Sequence, residues 1–250
     1  MCAGRTVPSV GDMTTSLVAV VTGASRGLGF ALAGALAEAG YALVIDARDG
    51  PALSSAAADL VSRTGASITA IPGDIADPAH RADLAAAAAG LGGASLLVNN
   101  AGTLGASPLP ALADYPPDEL LAAFAVNVVS PVALTQLLLP DLRQRGGAVL
   151  NVTSDAAVEA YAGWGGYGAA KAALEQASNV LAAEESAIRV WWVDPGDIRT
   201  RMHQEAFPGE DISDRPLPAS VAPAFLRLIA ERMPSGRYRA ADLRPAGVPA

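Results

Sequence analysis

Short apolar runs rich in β-branched residues recur along the chain and alternate with longer stretches rich in Ala and Leu. Apolar runs of this length indicate strands buried on both faces, and the Ala/Leu stretches have the length and composition of helices. The predicted strands are 17–22, 41–47, 67–72, 95–99, 148–153 and 188–193, with a seventh near 237–240. The predicted helices are 28–39, 51–63, 78–90, 118–145, 165–184 and 220–232. This alternation predicts an α/β fold with one doubly wound parallel sheet of about seven strands.

The chain length of 250 residues fits one large domain. We interpret residues 1–16, which mix Gly, Pro, Ser and Thr, as a mobile N-terminal extension in which Met13 is an alternative start, and residues 17–250 as the domain. Segments 102–117 and 196–218 break the alternation after strand ends, where doubly wound sheets bind ligands. Both are therefore candidate site walls, with a substrate loop at about 197–218.

Composition narrows the class of protein. Hydrophobic residues make up 51% of the chain and charged residues 17%, which excludes a disordered protein. A net charge of -8 argues against a nucleic-acid partner. The single cysteine, Cys2, and the absence of zinc-like spacing predict a reducing compartment and no metal. Because no uninterrupted apolar run reaches roughly 18 residues and no signal segment precedes the first strand, we expect a cytoplasmic protein with no membrane partner.

A glycine-rich turn, TGASRGLG, follows the first predicted strand and opens a helix. Glycines there let the backbone approach a pyrophosphate at the helix N-terminus. At the end of the second strand, Asp46 and Arg48 lie on one face, and Arg26 lies in the turn itself. Two arginines near one ribose favour the 2′-phosphate of NADPH. The alternative is that Asp46 binds NAD and both arginines are solvated surface charges.

The only lysine of the chain, Lys171, follows Tyr167 by four residues at the start of a predicted helix. Their side chains therefore share one helix face. A phenol with a pKa near 10 moves protons poorly at neutral pH, and a nearby ammonium lowers that pKa. Ser154 ends the fifth strand, where its hydroxyl could bond a substrate carbonyl or serve as an ordinary turn or N-cap serine.

Together these residues resemble the classical short-chain dehydrogenase/reductase (SDR) family over about residues 15–200. The resemblance rests on TGASRGLG, Asp74-Ile75, NNAG (Asn99–Gly102), Asn127, Ser154, YGAAK (Tyr167–Lys171) and PGDIRT (Pro195–Thr200), in family order and spacing. It implies a single Rossmann-type domain. The chain departs from the family in its tail after the last strand, which lacks the usual glycine-rich sequence, and in Trp191 on the sixth strand. We expect Trp191 and Trp192 to be core residues.

The resemblance also implies roles for individual residues. Tyr167 would be the general acid, Ser154 would hold the substrate oxygen, and Lys171 would bind the nicotinamide ribose and lower the pKa of Tyr167. Asn127 would anchor a water that connects Lys171 to solvent. The implied cofactor-binding residues are Gly23, Ser25, Arg26, Gly27, Leu28, Gly29, Arg48, Asp74, Ile75, Asn100, Ala101, Gly102, Tyr167, Lys171, Pro195, Gly196, Ile198 and Thr200.

The predicted function is an oxidoreductase that prefers NADP(H), with NAD(H) as the alternative, and interconverts a ketone or aldehyde with an alcohol. Segment 155–166, with Tyr161 and Trp164, and the loop after Thr200 would set specificity for a small apolar or ring-bearing substrate. His203 in that loop is interpreted as a surface residue, with a titrating role near the substrate as the alternative. A non-catalytic NADP-binding sensor and a redox-neutral epimerase or dehydratase are the alternatives. A homodimer or homotetramer is expected from the family.

Overall fold

The computed structural model describes residues 17–243 and has one parallel sheet of seven strands in the order β3-β2-β1-β4-β5-β6-β7. Strands β1 to β7 are Val18–Val21, Ala42–Ala47, Ile68–Pro72, Leu96–Asn99, Ala148–Val152, Arg189–Asp194 and Gly236–Arg239. Helices α1 to α8 are Gly27–Glu38, Gly50–Thr64, Pro78–Gly90, Pro117–Phe124, Ser130–Arg145, Gly165–Glu184, Arg201–Ala206 and Pro218–Ala230. The doubly wound α/β fold is confirmed. The predicted extension at 1–16 lies outside the described residues.

Strand periodicity sends alternate side chains of the sheet into two separate cores. In β1, Ala19 and Val21 face the core that α1, α2 and α8 cover, and Val18 and Val20 face the core beneath α3 and α5. All four residues are fully buried. Burial on both faces explains why the strands appear in the sequence as continuous apolar runs rather than as alternating patterns.

The strand order reverses direction at β1, which pairs with β2 on one side and with β4 on the other. Loops leaving the carboxyl ends of these neighbouring strands diverge to opposite faces, and a crevice opens between them. The glycine-rich turn follows β1 and the Asn99–Gly102 segment follows β4, so the fold brings these two motifs together.

The single helix expected at 118–145 is two helices joined through a π-helical stretch, Ala125–Val129. One extra residue per turn in such a stretch rotates the following side chains, and π turns often occur at functional sites. By length and composition alone, the continuous path Pro117–Arg145 could cross a membrane. In the fold, α5 buries Leu134, Leu138 and Leu142 against the sheet, and 33% of the apolar window is buried.

Two further features concern the second half of the chain. The expected loop at 197–218 contains helix α7, which sequence analysis did not predict. Trp191 and Trp192 are both buried, as expected, and the Trp191 indole donates to the carbonyl of Met233 at 2.9 Å. Among residues 17–243, no group of three or more His, Cys, Asp or Glu could hold a metal ion.

Candidate active site

A cavity of about 1470 Å³ opens at the carboxyl ends of the strands. Most of the predicted site residues line it, and these are Gly23, Ser25, Arg26, Gly27, Leu28, Arg48, Asp74, Ile75, Asn100, Ala101, Gly102, Ser154, Tyr167, Lys171, Pro195, Gly196, Ile198 and Thr200. Gly29 and Asn127 do not line it. The fold therefore gathers residues from most of the chain into one crevice and places two of the predicted residues behind its wall.

The glycine-rich turn is held so tightly that side chains are excluded. Gly23 has a φ of +67°, and a Cβ there would lie 2.9 Å from the Cα of Ala101. A Cβ on Gly29 would collide with the Gly23 carbonyl and with the Asn100 side-chain amide. That amide donates to the carbonyls of Thr22, at 2.9 Å, and of Gly23. Gly29 thus permits helix packing and does not line the cavity, and its contact with a cofactor stays a prediction.

Asp46 is buried beneath the glycine turn and does not present a free carboxylate to the cavity. Its Oδ1 accepts from the Gly23 amide at 2.7 Å, and its Oδ2 lies 3.0 Å from His80 Nε2. Only 2% of Asp46 and 5% of His80 are exposed. Because so little of this carboxylate is exposed to the cavity, the alternative that Asp46 binds a ribose hydroxyl loses its support.

The two predicted arginines flank this end of the cavity. Arg26 pairs with Asp49 at 3.1 Å, and Asp49 also caps α2 by accepting from the Ala52 amide. Arg48 is exposed on the cavity wall and, within residues 17–243, makes no hydrogen bond or ion pair. A guanidinium without a partner at this position suits an anionic group on the ribose.

Tyr167 and Lys171 lie side by side on the first turns of α6, with the ammonium 5.6 Å from the phenol ring centroid. Lys171 Nζ donates to the Val152 carbonyl at 2.8 Å, which anchors it to the end of β5. Ser154 lies close enough to the Tyr167 phenol to lower its pKa. The fold therefore brings the three predicted side chains to the wall of one cavity.

The pKa values of Tyr167 and Lys171 differ from the expectation. Burial raises the pKa of the Tyr167 phenol, the nearby Ser154 hydroxyl offsets part of that rise, and the charges of Asp194 and Asp155 add to it. Burial lowers the pKa of Lys171 to about 8, with Glu175 acting in the opposite direction. The expectation that Lys171 lowers the pKa of Tyr167 below its ordinary value is therefore wrong for this geometry, because desolvation dominates.

Asn127 sits in the π-helical stretch and is 1% exposed. Its amide donates to the Thr103 carbonyl at 2.8 Å, and its Oδ1 accepts from the Thr103 amide at 3.0 Å. A Cβ on Gly102 would lie 3.0 Å from Asn127 Oδ1 and 3.8 Å from Lys171 Nζ. Asn127 thus holds the segment after β4 close to Lys171, and its link to solvent stays a prediction.

An aromatic wall forms the other end of the cavity. Trp164 contacts Tyr167 edge-on at 5.7 Å and Phe207 at 5.8 Å, and His203 packs on Phe207 at 4.9 Å between ring centroids. His203 lies on α7 with 10% of its side chain exposed, so the interpretation as a surface loop residue is wrong. Helix α7 places the His203 ring against Phe207. The Thr200 hydroxyl caps that helix by accepting from the His203 amide at 3.1 Å.

Sequence analysis missed a polar network behind Ser154. Arg237 on β7 donates to Glu175 at 2.9 Å and to the Ser154 carbonyl at 3.2 Å. Glu175 also accepts from the Thr153 hydroxyl at 2.7 Å. Glu175 follows Lys171 by one helical turn, a spacing visible in the sequence, but its partner Arg237 lies 62 residues away.

The sequence profile of the family described as short chain dehydrogenase matches residues 17–211. The chain belongs to the short-chain dehydrogenase family. A 1-deoxy-11-beta-hydroxypentalenate dehydrogenase of Streptomyces avermitilis is 36% identical over 189 residues, covering 74% of this chain and 69% of that protein. Sepiapterin reductase of Bos taurus is 35% identical over 212 residues, covering 80% and 79%.

Comparison with a solved structure supports the same family assignment for this short-chain dehydrogenase. A putative short chain dehydrogenase from Shigella flexneri 2a, complexed with NADP, superposes with a TM-score of 0.84 at 29% identity, covering 90% of this chain and 97% of that chain. The protein is therefore an oxidoreductase of this family, with the family's Rossmann fold.

Proposed function

We propose that the protein is an NADPH-dependent reductase that converts a ketone or aldehyde of a small ring-bearing substrate to an alcohol, or catalyses the reverse reaction. The observation that carries this proposal is the placement of Ser154, Tyr167 and Lys171 on one cavity that is also lined by the glycine-rich turn and by Trp164 and Phe207. A carbonyl placed there would contact a proton donor.

The residues at the glycine-rich end fit a nicotinamide dinucleotide phosphate. Gly23 and Gly27 keep the turn free of side chains on the cavity wall, where a pyrophosphate could approach the start of α1. Arg48 offers an unpaired guanidinium to a 2′-phosphate, whereas Asp46 is engaged by Gly23 and His80. NADPH bound there supplies the hydride.

The chain's own residues would manage the proton and the orientation of the substrate. The raised pKa keeps Tyr167 protonated at neutral pH, which is the form a proton donor needs. Ser154 would fix the carbonyl oxygen beside the phenol. Lys171 would hold the nicotinamide ribose and place a positive charge near the oxygen as the Tyr167 proton leaves. Trp164 and Phe207 would exclude water from the reacting carbon.

The test is NADPH consumption with ketones, aldehydes and quinones, using wild type and Tyr167→Phe. We expect both proteins to bind NADPH equally, while turnover by the variant falls about a hundredfold or more. Binding of NADPH with no turnover of any carbonyl would favour the sensor alternative. Product formation without net NADPH consumption would favour redox-neutral chemistry. Equal rates for both proteins would contradict the role given to Tyr167.

The preference for NADPH is tested with Arg48→Ala. We expect NADPH affinity to fall about tenfold or more with NADH affinity nearly unchanged, because one guanidinium–phosphate contact is lost. Arg63→Ala, which removes an exposed arginine of α2 that does not line the cavity, is the matched control. Equal losses for both coenzymes in Arg48→Ala would contradict the assignment.

A further inference from the structure

Asp155, directly after Ser154, carries a carboxylate that is fixed beside the proposed reaction centre. The Ser154 hydroxyl donates to its Oδ1 at 2.9 Å, and the Ala156 amide donates to the same oxygen at 2.8 Å. The Tyr161 hydroxyl donates to Oδ2 at 3.0 Å. Three donors therefore hold one orientation of a half-buried carboxylate that lines the cavity.

The path from this carboxylate to the reacting atoms is short. Ser154 donates its single hydroxyl proton to Asp155 and lies close to the Tyr167 phenol. A substrate carbonyl that accepts this proton instead would lie beside a carboxylate that has lost one of its donors. Each carboxylate oxygen can accept more than one hydrogen bond, so Asp155 retains acceptor capacity toward the cavity.

The rest of the aromatic end does not neutralise this charge. Among the described residues lining this end, the arginine Arg201 has 70% of its side chain exposed and is paired with Glu205 at 2.6 Å. His203 Nδ1 faces a second carboxylate, Asp197, at 3.8 Å. The ammonium of Lys171, which is anchored on the Val152 carbonyl, forms no ion pair with Asp155. The substrate end is thus an aromatic wall with an acidic lining, in contrast to the arginines at the opposite end.

We propose that Asp155 determines substrate specificity by binding a hydrogen-bond donor on the carbon next to the reacting carbonyl. The preferred class is an aromatic ketone with an adjacent ammonium or hydroxyl group, and substrates with an adjacent carboxylate are disfavoured. This inference rests on the proposed reductase function. A charged donor gains most, because the attraction between opposite charges is strengthened where the aromatic wall keeps water away.

The experiment uses four phenyl ketones that share the ring and the carbonyl and differ at the adjacent position. The probes are 2-amino-1-phenylethanone, 2-hydroxy-1-phenylethanone, acetophenone and benzoylformate, each with saturating NADPH at pH 7. The variants are Asp155→Asn, which keeps the size and an acceptor for Ser154, and Glu159→Gln as the matched control. Glu159 is an exposed acid four residues along the same segment that does not line the cavity.

We expect wild-type kcat/KM to follow the order amine, hydroxyl, hydrogen, carboxylate. In Asp155→Asn the ratio of the amine to the carboxylate probe should fall on the order of tenfold or more, and in Glu159→Gln it should stay unchanged. Because the ratio compares two substrates of the same variant, a general loss of activity from a disturbed Ser154 cancels. Calorimetry should show that, with NADPH present, which cannot accept hydride from an alcohol, 2-amino-1-phenylethanol binds wild type more tightly than 1-phenylethanol does, and that Asp155→Asn removes the difference.

The outcomes separate the two proposals. Turnover of the panel without a preference for the donor-bearing probes, or a preference that Asp155→Asn preserves, would overturn the role of Asp155 and leave the reductase function standing. Binding of NADPH with no oxidation of it by any probe, together with no difference in alcohol binding, would overturn both.

Discussion

Burial favours the neutral forms of Tyr167 and Lys171, so it raises the pKa of the phenol and lowers the pKa of the ammonium. At neutral pH the phenol is therefore protonated throughout, whereas the lysine, with a pKa of about 8, is close to its titration point. The charge of Lys171, which supports proton transfer, is thus more sensitive to pH than the protonation of Tyr167, which donates the proton.

We expect NADPH-driven reduction to decline as the pH rises through about 8, because Lys171 loses its charge there while Tyr167 keeps its proton. Glu175→Gln should move this decline to lower pH, since Glu175 raises the pKa of Lys171. Lys171→Arg should remove the decline, because a guanidinium stays charged. The measurement is kcat/KM against pH for the three proteins. A decline at the same pH in all of them would show that another group titrates.

For single residues, the sequence predicts pairings between side chains a few positions apart, but it does not predict pairings between side chains far apart in the chain. The four-residue interval from Tyr167 to Lys171 fixes one helix face, so their meeting could be predicted. The pairing of Asp46 with His80 spans 34 residues between β2 and α3 and has no sequence signal. The position of Asp155 could have been predicted from the sequence, because the two residues are neighbours and its carboxylate is close to the Ser154 hydroxyl.

Among elements, the approach of α1 to the glycine turn depends on Gly29. Alanine usually stabilises a helix relative to glycine by about 0.5–1 kcal/mol. The opposite sign is expected here, because a Cβ on Gly29 would collide with the Gly23 carbonyl and the Asn100 amide, which belong to two other segments. The turn would have to open for the helix to stay in place.

Gly29→Ala should therefore lower the free energy of unfolding by about 2 kcal/mol and weaken NADPH binding, because overpacking displaces backbone. Gly90→Ala at the end of α3, where no atom lies within 4 Å of the added Cβ, is the control and should be neutral or slightly stabilising. Urea unfolding followed by tryptophan fluorescence measures both. A stabilised Gly29→Ala would contradict the packing role.

Elements with a strong pattern were predicted to within a few residues, including the sheet and five of the helices, whereas α4 and α5 were predicted as one helix. The π-helical stretch Ala125–Val129 was not, since its hydrophobic residues fit an ordinary helix, and the contacts of its Asn127 with Thr103 join residues 24 positions apart. Helix α7 was missed because Pro and acidic residues surround its six residues.

In the whole molecule, the last strand is tied to the centre of the site. Arg237 on β7 reaches Glu175 on α6 and the Ser154 carbonyl after β5, so one guanidinium joins three elements. Glu175 is 12% exposed, and removing its partner would leave a largely buried charge. A cytoplasmic location and a homo-oligomeric state, also properties of the whole molecule, stay predictions.

We expect Arg237→Met to lower the free energy of unfolding by about 2 kcal/mol, because it leaves Glu175 without its charged partner. Arg201→Met should cost about 0.5 kcal/mol or less, since the Arg201–Glu205 pair is 70% and 49% exposed. Chemical denaturation compares the two variants. Losses of equal size would mean that the Arg237–Glu175 pair behaves as a surface pair.

The cavity is divided along the chain as well as in space. Its arginine-flanked end is built from the turns after β1 and β2, whereas its aromatic, acidic end comes from residues that follow β5 and β6. Under the roles proposed for Arg48 and Asp155, coenzyme preference and substrate preference are therefore encoded in separate halves of the gene. Recombination within the segment between β4 and α4 could exchange one property among relatives while inheriting the other intact, which gives this architecture a simple route to new pairings of reductant and substrate.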